Sequence, residues 1–177
     1  MKKLLILSFV GVSLFSIRPP MPAPAKGKLP GRNYDQKKQN AFVAAIRQGD
    51  YEQVKRLLKF RPHVSLTGLD DLNDNPLEVA VLKGNHKIAE LLLELGADPN
   101  TRTTGGLTPG RPVIVEAVAR GDVDMVELLV RYGANIDLVQ KDKVQAVHIE
   151  RKLSDYVPRN HPNAKRIEAL LEKTKIR

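Results

Sequence analysis

A repeated pattern of short apolar segments and glycine turns constrains this chain more than any other feature. Residues 75–84 read Asn-Pro-Leu-Glu-Val-Ala-Val-Leu-Lys-Gly, and residues 88–98 add a second apolar segment that ends in Gly-Ala-Asp. The same order returns over residues 113–137, and a weaker copy lies at residues 42–58. Each unit alone is too short to bury a core, so the units must stack on their neighbours. A stacked array of this kind works through a surface rather than a pocket.

Helical spacing is evident in the second segment of each unit. Apolar residues fall at positions i, i+3, i+4 and i+7, on one face of a helix, whereas a strand would bury every second residue. These residues are Ile88, Leu91, Leu92 and Leu95 in one unit, and Met125, Leu128, Leu129 and Tyr132 in the next. The pattern predicts an all-α fold.

The order of short helix, glycine turn, second helix and Gly-Ala-Asp turn resembles the ankyrin repeat, whose period is about 33 residues. Gly49, Gly84 and Gly121 recur at intervals of 35 and 37 residues, and the extra residues fall between the units. The resemblance implies an ankyrin-type α-solenoid of about four stacked helix-turn-helix repeats joined by hairpin-like turns. The ankyrin domain is expected to span residues 39–177, with repeats at about residues 39–70, 71–103, 104–140 and 141–175.

The fourth repeat departs most from the family pattern. Its first helix is expected at residues 145–151, where His148 matches the histidine of the family's Thr-Pro-Leu-His opening. Its second helix is expected at residues 163–173, after an insertion of roughly nine residues around residues 156–162. The other repeats fill the histidine position with different residues, namely Val43, Glu78 and Val115. Eight helices in four pairs are therefore expected.

Local signals predict how cleanly two of the first helices begin. Asn75 is a good N-cap, and Pro76 suits the first helical turn, where a missing N–H costs nothing. In the third repeat Pro112 stands where the second repeat has Asn75, which leaves Arg111 as a poor N-cap. The third repeat is therefore expected to start less regularly than the second.

The N-terminal residues have the layout of a secretory signal peptide. A basic start (Met1-Lys2-Lys3) precedes 14 apolar or small residues from Leu4 to Ile17, too few for an ordinary membrane span. We expect a signal peptide at residues 1–25 ending in Ala23-Pro24-Ala25, with cleavage near Gly11-Val12-Ser13 as the alternative, and a Pro/Lys-rich linker at residues 26–38. The mature protein would then be secreted or lie in the periplasm or cell envelope. The alternative is an additional helix packed on the array.

The formal net charge of +9 is distributed unevenly. Residues 1–33 carry +6, residues 34–139 carry −2, and residues 140–177 carry +5. A nucleic-acid or anionic-surface binder that uses the basic C-terminal repeat is therefore the alternative function. However, acidic residues interrupt this basic region as on an ordinary solvated face, and aromatic residues for base stacking are few. The interrupting acids are Glu150, Asp155, Glu168 and Glu172.

The sequence lacks the patterns that carry catalysis. There is no cysteine, no His-Glu-x-x-His spacing, no P-loop and no Gly-x-Ser-x-Gly. We expect no catalytic residues, no cofactor and no metal, although His63, His148 and His161 would form a metal site if they met in space. The acidic run at residues 70–74 lacks the spacing of a calcium loop.

A protein-interaction scaffold, expected to be monomeric, is the function that the resemblance implies. Ankyrin repeats bind protein partners through the turn tips between repeats and the exposed side of the first helices. Carried onto this chain, the candidate partner-binding residues are Asp70, Asp71, Leu72, Asn73, Asp74, Leu82, Lys83, Leu107, Thr108, Arg111, Ala119 and Arg120, with Arg47 and Gln48 beside them. Both long inter-repeat loops fall on this edge. Their extra length either serves partner binding or is merely tolerated, because lengthening a loop costs little entropy. If Leu72 and Leu107 are exposed, they are the strongest of these candidates, because an apolar side chain on a turn tip has little reason to be there without a partner.

Overall fold

The computed structural model describes residues 35–59, 64–104, 110–144 and 147–175. Within this part of the chain, the α-helices are α1 (Gln36–Gln48), α2 (Tyr51–Leu58), α3 (Pro76–Leu82), α4 (His86–Glu94), α5 (Val113–Ala119), α6 (Val123–Arg131) and α7 (Ala164–Lys175). Strands β1 (Val139–Val144) and β2 (Val147–Lys152) form one antiparallel hairpin, and a short 3₁₀ helix (Leu153–Tyr156) follows it. The expected signal peptide lies outside the described residues, as does the linker up to residue 34. The last linker positions belong instead to α1, which begins at residue 36.

The helices form two layers of a solenoid. In the first layer α1 packs on α3, α3 packs on α5, and α5 packs on the 3₁₀ helix. In the second layer α2 packs on α4, α4 packs on α6, and α6 packs on α7. One continuous apolar core runs between the layers. The predicted all-α ankyrin solenoid is confirmed.

The two central first helices begin as the capping residues predict. The Asn75 side chain accepts a hydrogen bond from Leu77 N, and the Glu78 carboxylate accepts one from Asn75 N, which together make a capping box. Helix α5 has Pro112 as its N-cap and no side-chain capping bond. The weaker start of the third repeat is confirmed, although the cap falls on Pro112 rather than Arg111.

The predicted apolar stripe of α4 is correct except at its end. Ile88 and Leu92 are buried, as predicted, but Leu95 is 39% exposed and Leu93 is buried in its place. Leu95 is the C-cap of α4, so it lies at the very end of the helix. In α6 the predicted residues Met125, Leu128 and Leu129 are all buried.

The prediction of a helix at residues 145–151 is wrong. Strands β1 and β2 pair from Val139 with Lys152 to Val144 with Val147, so His148 lies on a strand. The hairpin lengthens the connection between the third and fourth repeats. The connection near residues 156–162 is also longer than in the other repeats, because seven residues (157–163) separate the 3₁₀ helix from α7, whereas three residues (83–85) separate α3 from α4. Apolar and polar residues alternate along β2, and its apolar residues, Val147 and Ile149, are β-branched, both of which favour a strand.

The 3₁₀ helix takes the place of a fourth first helix. It packs on α5 as α5 packs on α3, and its Leu153 and Tyr156 are buried. The second helix of this repeat is α7, close to the predicted bounds, with Ile167 and Leu171 buried. The fourth pair is thus a 3₁₀ helix and an α-helix, in place of the two α-helices expected.

Candidate interaction surface

The first turn tip, residues 70–74, is a closed and ordered turn. Asp70 Oδ1 accepts hydrogen bonds from the backbone N–H groups of Leu72 and Asp74, both at 2.9 Å. Asn73 has φ 65°, a left-handed conformation that asparagine tolerates better than most residues. The Asp70 side chain is only 4% exposed, whereas Leu72 is 67% exposed. Asp70 therefore shapes the turn, and Leu72 projects from it.

Arg47 on α1 holds this turn against the first layer. Its Nη2 donates to Asp70 Oδ2 at 2.8 Å and to Asp74 Oδ2 at 2.7 Å. The hydrogen bond to Asp70 raises the pKa of Arg47 above its ordinary value, assisted by Asp74 and opposed by the burial of the guanidinium. The arginine and the two carboxylates thus form one network, and the predicted residues Asp70 and Asp74 belong to it.

A second pair of contacts joins the same turn to α1. Asn40 Nδ2 donates to Asp71 Oδ2, and Asp71 N donates to Asn40 Oδ1 at 3.1 Å. The fully buried Gln39 holds the chain just before the turn, because its Nε2 donates to the carbonyl oxygens of Ser65 and Gly68. Contacts to α1 thus hold both the turn and the chain that leads into it.

The second turn tip is closed by Thr103. Its N–H donates to Arg111 O at 2.8 Å, and its carbonyl accepts from Gly110 N at 2.6 Å. Thr103 is only 4% exposed, so it does not belong to the exposed part of the predicted tip at residues 103–111. The candidates Leu107 and Thr108 lie outside the described residues, so their part in partner binding stays a prediction.

The helix-side candidates lie at the C-terminal ends of α3 and α5. Lys83 and Arg120 are the C-caps of these helices, and both are exposed. Arg120 Nη1 donates to the Leu82 carbonyl oxygen, which links the two helix ends; Leu82 itself is half-buried. Ala119 is exposed. These residues form the helix-side part of the surface.

Arg111 lies in a group of arginine and tyrosine side chains whose proximity the sequence did not predict. Its Cζ lies 5.3 Å from the centre of the Tyr156 ring, and Arg151 Cζ lies 5.8 Å from the same centre. Arg102 donates from Nη1 to Gly110 O at 2.5 Å and to Gln140 Oε1 at 3.2 Å. Arg102 and Tyr156 were not among the predicted site residues, because Tyr156 meets Arg111, and Arg102 meets Gln140, through contacts between residues far apart in the sequence.

The possible metal site of His63, His148 and His161 stays a prediction, because only His161 has a described side chain. His161 lies against Gly121, and His63 is outside the described residues. In the part of the chain that the structure describes, no three His, Asp or Glu side chains are grouped so as to hold a metal ion. Nor does any described helix have the length and apolar character needed to cross a membrane.

Two family models match this chain. One, for ankyrin repeats in three copies, matches residues 25–103, and the other, for ankyrin repeats in many copies, matches residues 77–130. Together with the two-layered solenoid and its turn tips, these matches define the class of the protein. The chain is an ankyrin-repeat protein.

Curated relatives share the repeat region. Human protein phosphatase 1 regulatory subunit 27 is 37% identical over 101 residues, which are 57% of this chain and 62% of the relative. A probable E3 ubiquitin-protein ligase of rice is 31% identical over 95 residues, 54% of this chain and 18% of the ligase. A putative ankyrin repeat-containing protein of Treponema pallidum is 37% identical over 97 residues, 55% of this chain and 31% of the relative. The chain therefore spans less than two thirds of each of these relatives.

Proposed function

We propose that this chain is a non-catalytic scaffold that binds a protein partner through one continuous edge. This edge, called here the turn edge, consists of Asp71, Leu72, Asn73, Lys83, Arg111, Ala119 and Arg120, and the sequence-predicted candidates Leu107 and Thr108 lie outside the described residues. The single observation that carries the proposal is Leu72, an apolar side chain that is 67% exposed at the end of an ordered turn.

The rigidity of the first tip makes Leu72 a suitable anchor for a partner. Its turn is braced by Arg47 and Asn40 from α1, so the position of the leucine is set before any partner arrives. Binding then orders little additional chain, and most of the free energy of burying the side chain contributes to affinity. An apolar side chain fully buried in this way contributes about 2 kcal/mol.

The relatives support a protein-binding role. One of them is, by its name, a regulatory subunit of a protein phosphatase, and its similarity to this chain extends over 101 residues. The ligase aligns over only 18% of its own length, so its activity is not carried over to this chain. The proposal for this protein is therefore the scaffold, without an enzymatic step.

Export of the mature chain, residues 26–177, is part of the proposal. Export is supported by residues 1–25, where a basic region, an apolar region and a small-residue region follow one another in that order. Cell fractionation of the tagged full chain, followed by N-terminal sequencing, tests it. A mature N-terminus near residue 26 in the envelope or medium is expected, and an uncleaved chain retained inside the cell would contradict export.

Site-specific photo-crosslinking tests the turn edge directly. A photoreactive residue replaces Leu72 in one version of the full chain and Glu127 in the control version. Glu127 is exposed on α6, in the other layer, so both positions are accessible but only the first is on the turn edge. One protein captured at position 72 and not at position 127 is expected, and Leu72→Ser should weaken its binding.

The same experiment separates the scaffold from the alternative function. A crosslink to nucleic acid at position 72 that no longer forms when moderate salt is added before irradiation would favour the nucleic-acid alternative. A protein captured equally well at positions 72 and 127 would contradict the turn edge as the binding surface.

A further inference from the structure

Three arginines from separate segments converge next to the β-hairpin. Arg102 precedes α5 by a turn, Arg111 lies just before α5, and Arg151 lies on β2. Arg111 and Arg151 share the Tyr156 ring, so their Cζ atoms, 5.3 and 5.8 Å from its centre, are at most about 11 Å apart. Arg102 contacts the side chain of Gln140, the residue that pairs with Arg151 across the hairpin. We call these three residues the arginine cluster.

Contacts with neighbouring residues hold the cluster in place. Tyr156 is 9% exposed, and its ring attracts both guanidinium groups through the cation–π interaction. Arg111 Nη1 is also 3.4 Å from Glu116 Oε1, and the Arg111 side chain is 21% exposed. Arg102 is tied to the backbone of the second turn tip at Gly110. The guanidinium groups are therefore positioned before any ligand binds.

The cluster concentrates positive charge on an otherwise balanced array. Residues 34–139 have a net charge of −2, and Arg102 and Arg111 belong to this stretch. Arg151 belongs to the basic C-terminal region, residues 140–177. The three arginines and Glu116, whose Oε1 lies 3.4 Å from Arg111 Nη1, together carry a formal charge of +2. Such a local excess attracts and orients an anionic partner.

We infer that the arginine cluster binds an acidic segment of the protein partner, with aspartate or glutamate side chains engaging the guanidinium groups. This inference rests on the proposed scaffold function, since it names the chemistry of the partner at the Arg111 end of the turn edge. Guanidinium groups match carboxylates through two parallel hydrogen bonds, which a lysine cannot form. In an extended peptide, side chains two residues apart are about 7 Å apart on one face, which is within the upper limit of about 11 Å between Arg111 Cζ and Arg151 Cζ.

The geometry favours a peptide over a nucleic acid. A nucleic-acid site needs a basic stripe that follows several phosphates, whereas Asp142 and Glu150 interrupt the basic residues of the hairpin. The aromatic residue of the cluster, Tyr156, is buried beneath the arginines and is unsuited to stacking with a base. The described surface thus fits two or three carboxylates.

Fluorescence anisotropy with the full chain tests the inference. The probe is a labelled ten-residue peptide that alternates glutamate and glycine, and the matched probe has glutamine in place of glutamate. We expect the glutamate peptide to bind at least about tenfold more tightly at low salt, and less tightly as salt is added. Equal binding of the two peptides would overturn the inference.

Variants of the full chain locate the site. Arg102→Gln combined with Arg151→Gln should weaken binding of the glutamate peptide about tenfold or more, while Arg131→Gln should leave it unchanged. Arg131 is exposed on α6 and forms a similar surface ion pair with Glu90, so it controls for general charge. Arg111→Lys keeps the charge but loses the paired hydrogen bonds, and should weaken binding about threefold. Circular dichroism verifies that each variant is folded.

Two further outcomes are decisive. Equal losses in the Arg131→Gln control and the double variant would show a diffuse charge effect and overturn the inference. A labelled single-stranded DNA that binds more tightly than the glutamate peptide, and depends on the same arginines, would replace the acidic peptide with nucleic acid. Capture of a protein at position 72 reports the scaffold separately, so the scaffold stands if that crosslink persists while the glutamate peptide fails to bind.

Discussion

The buried carboxylate of Glu78 on α3 accepts two hydrogen bonds from Thr104, a residue of the following turn. Thr104 N lies 3.0 Å from Oε2, and the Thr104 hydroxyl lies 2.8 Å from the same oxygen. Glu78 is 0% exposed, so these bonds and the capping bond from Asn75 N take the place of water. The carboxylate therefore joins the second repeat to the start of the turn that leads into the third.

Replacing Glu78 with glutamine should destabilise the array by about 1–3 kcal/mol, because an amide NH₂ group then faces donors that need an acceptor. The free energy of unfolding in urea measures the effect, and hydrogen exchange at the Thr104 amide should become faster. Glu127→Gln, on the exposed face of α6, should change stability by less than about 0.5 kcal/mol. Equal effects in the two variants would contradict the role of the Glu78 carboxylate.

Core truncation should be costly in both central repeats. Leu92 and Leu129 are fully buried, so replacing either with alanine should lower the free energy of unfolding by about 2–5 kcal/mol. Leu95→Ala is the matched control, because its 39% exposure predicts a loss of less than about 1 kcal/mol. Thermal and urea unfolding measure all three, and an unchanged midpoint in the Leu92 and Leu129 variants would refute their place in the core.

The glycine turns should differ in their tolerance of alanine. Gly121 and Gly133 both have positive φ, 70° and 92°, so a side chain at either position strains the backbone by about 1 kcal/mol. At Gly121 a new Cβ would also lie 2.7 Å from His161 Cγ, whereas nothing lies within 4 Å at Gly133. Gly121→Ala should therefore destabilise by about 1–3 kcal/mol more than Gly133→Ala, as measured by urea unfolding.

The contact behind that difference is visible by NMR. The ring signals of His161 should shift in Gly121→Ala and remain unchanged in Gly133→Ala. Similar destabilisation in both variants, with no change at His161, would mean that the ring does not pack on the turn.

The network of Arg47 with Asp70 and Asp74 should stabilise the protein equally from about pH 6 to about pH 10. Arg47→Ala leaves the buried Asp70 without its cation and should cost about 2 kcal/mol. The pKa of Arg47 is raised by its hydrogen bond to Asp70, so the stabilisation is complete below the unfolded pKa and is lost only as pH rises through the higher folded value. The difference in unfolding free energy should therefore be constant from about pH 6 to about pH 10.

A surface pair provides the control for Arg47. Arg131 and Glu90 are 3.7 Å apart with both side chains well exposed, so Arg131→Ala should cost less than about 1 kcal/mol. A cost for Arg47→Ala no larger than this, or one that disappears between neutral and moderately alkaline pH, would contradict the network.

Most of the site could be anticipated only in outline. The sequence placed Leu72 in a turn between two repeats, and the structure shows that its side chain is 67% exposed. The burial of Asp70 was not expected, since an aspartate in a turn is ordinarily solvated. Its burial depends on Arg47, which lies 23 residues earlier and reaches the turn only in the folded chain.

The sequence alone determined the repeats, their order and their helices, because helical spacing, capping residues and turn glycines act over only a few neighbouring residues. Tertiary structure decided the fourth repeat and the arginine cluster. There the chain forms a β-hairpin whose pairing joins Val139 with Lys152, and a 3₁₀ helix packs on α5 where a full helix was expected. Such features depend on contacts between distant residues, which become favourable only when the neighbouring elements are already in place.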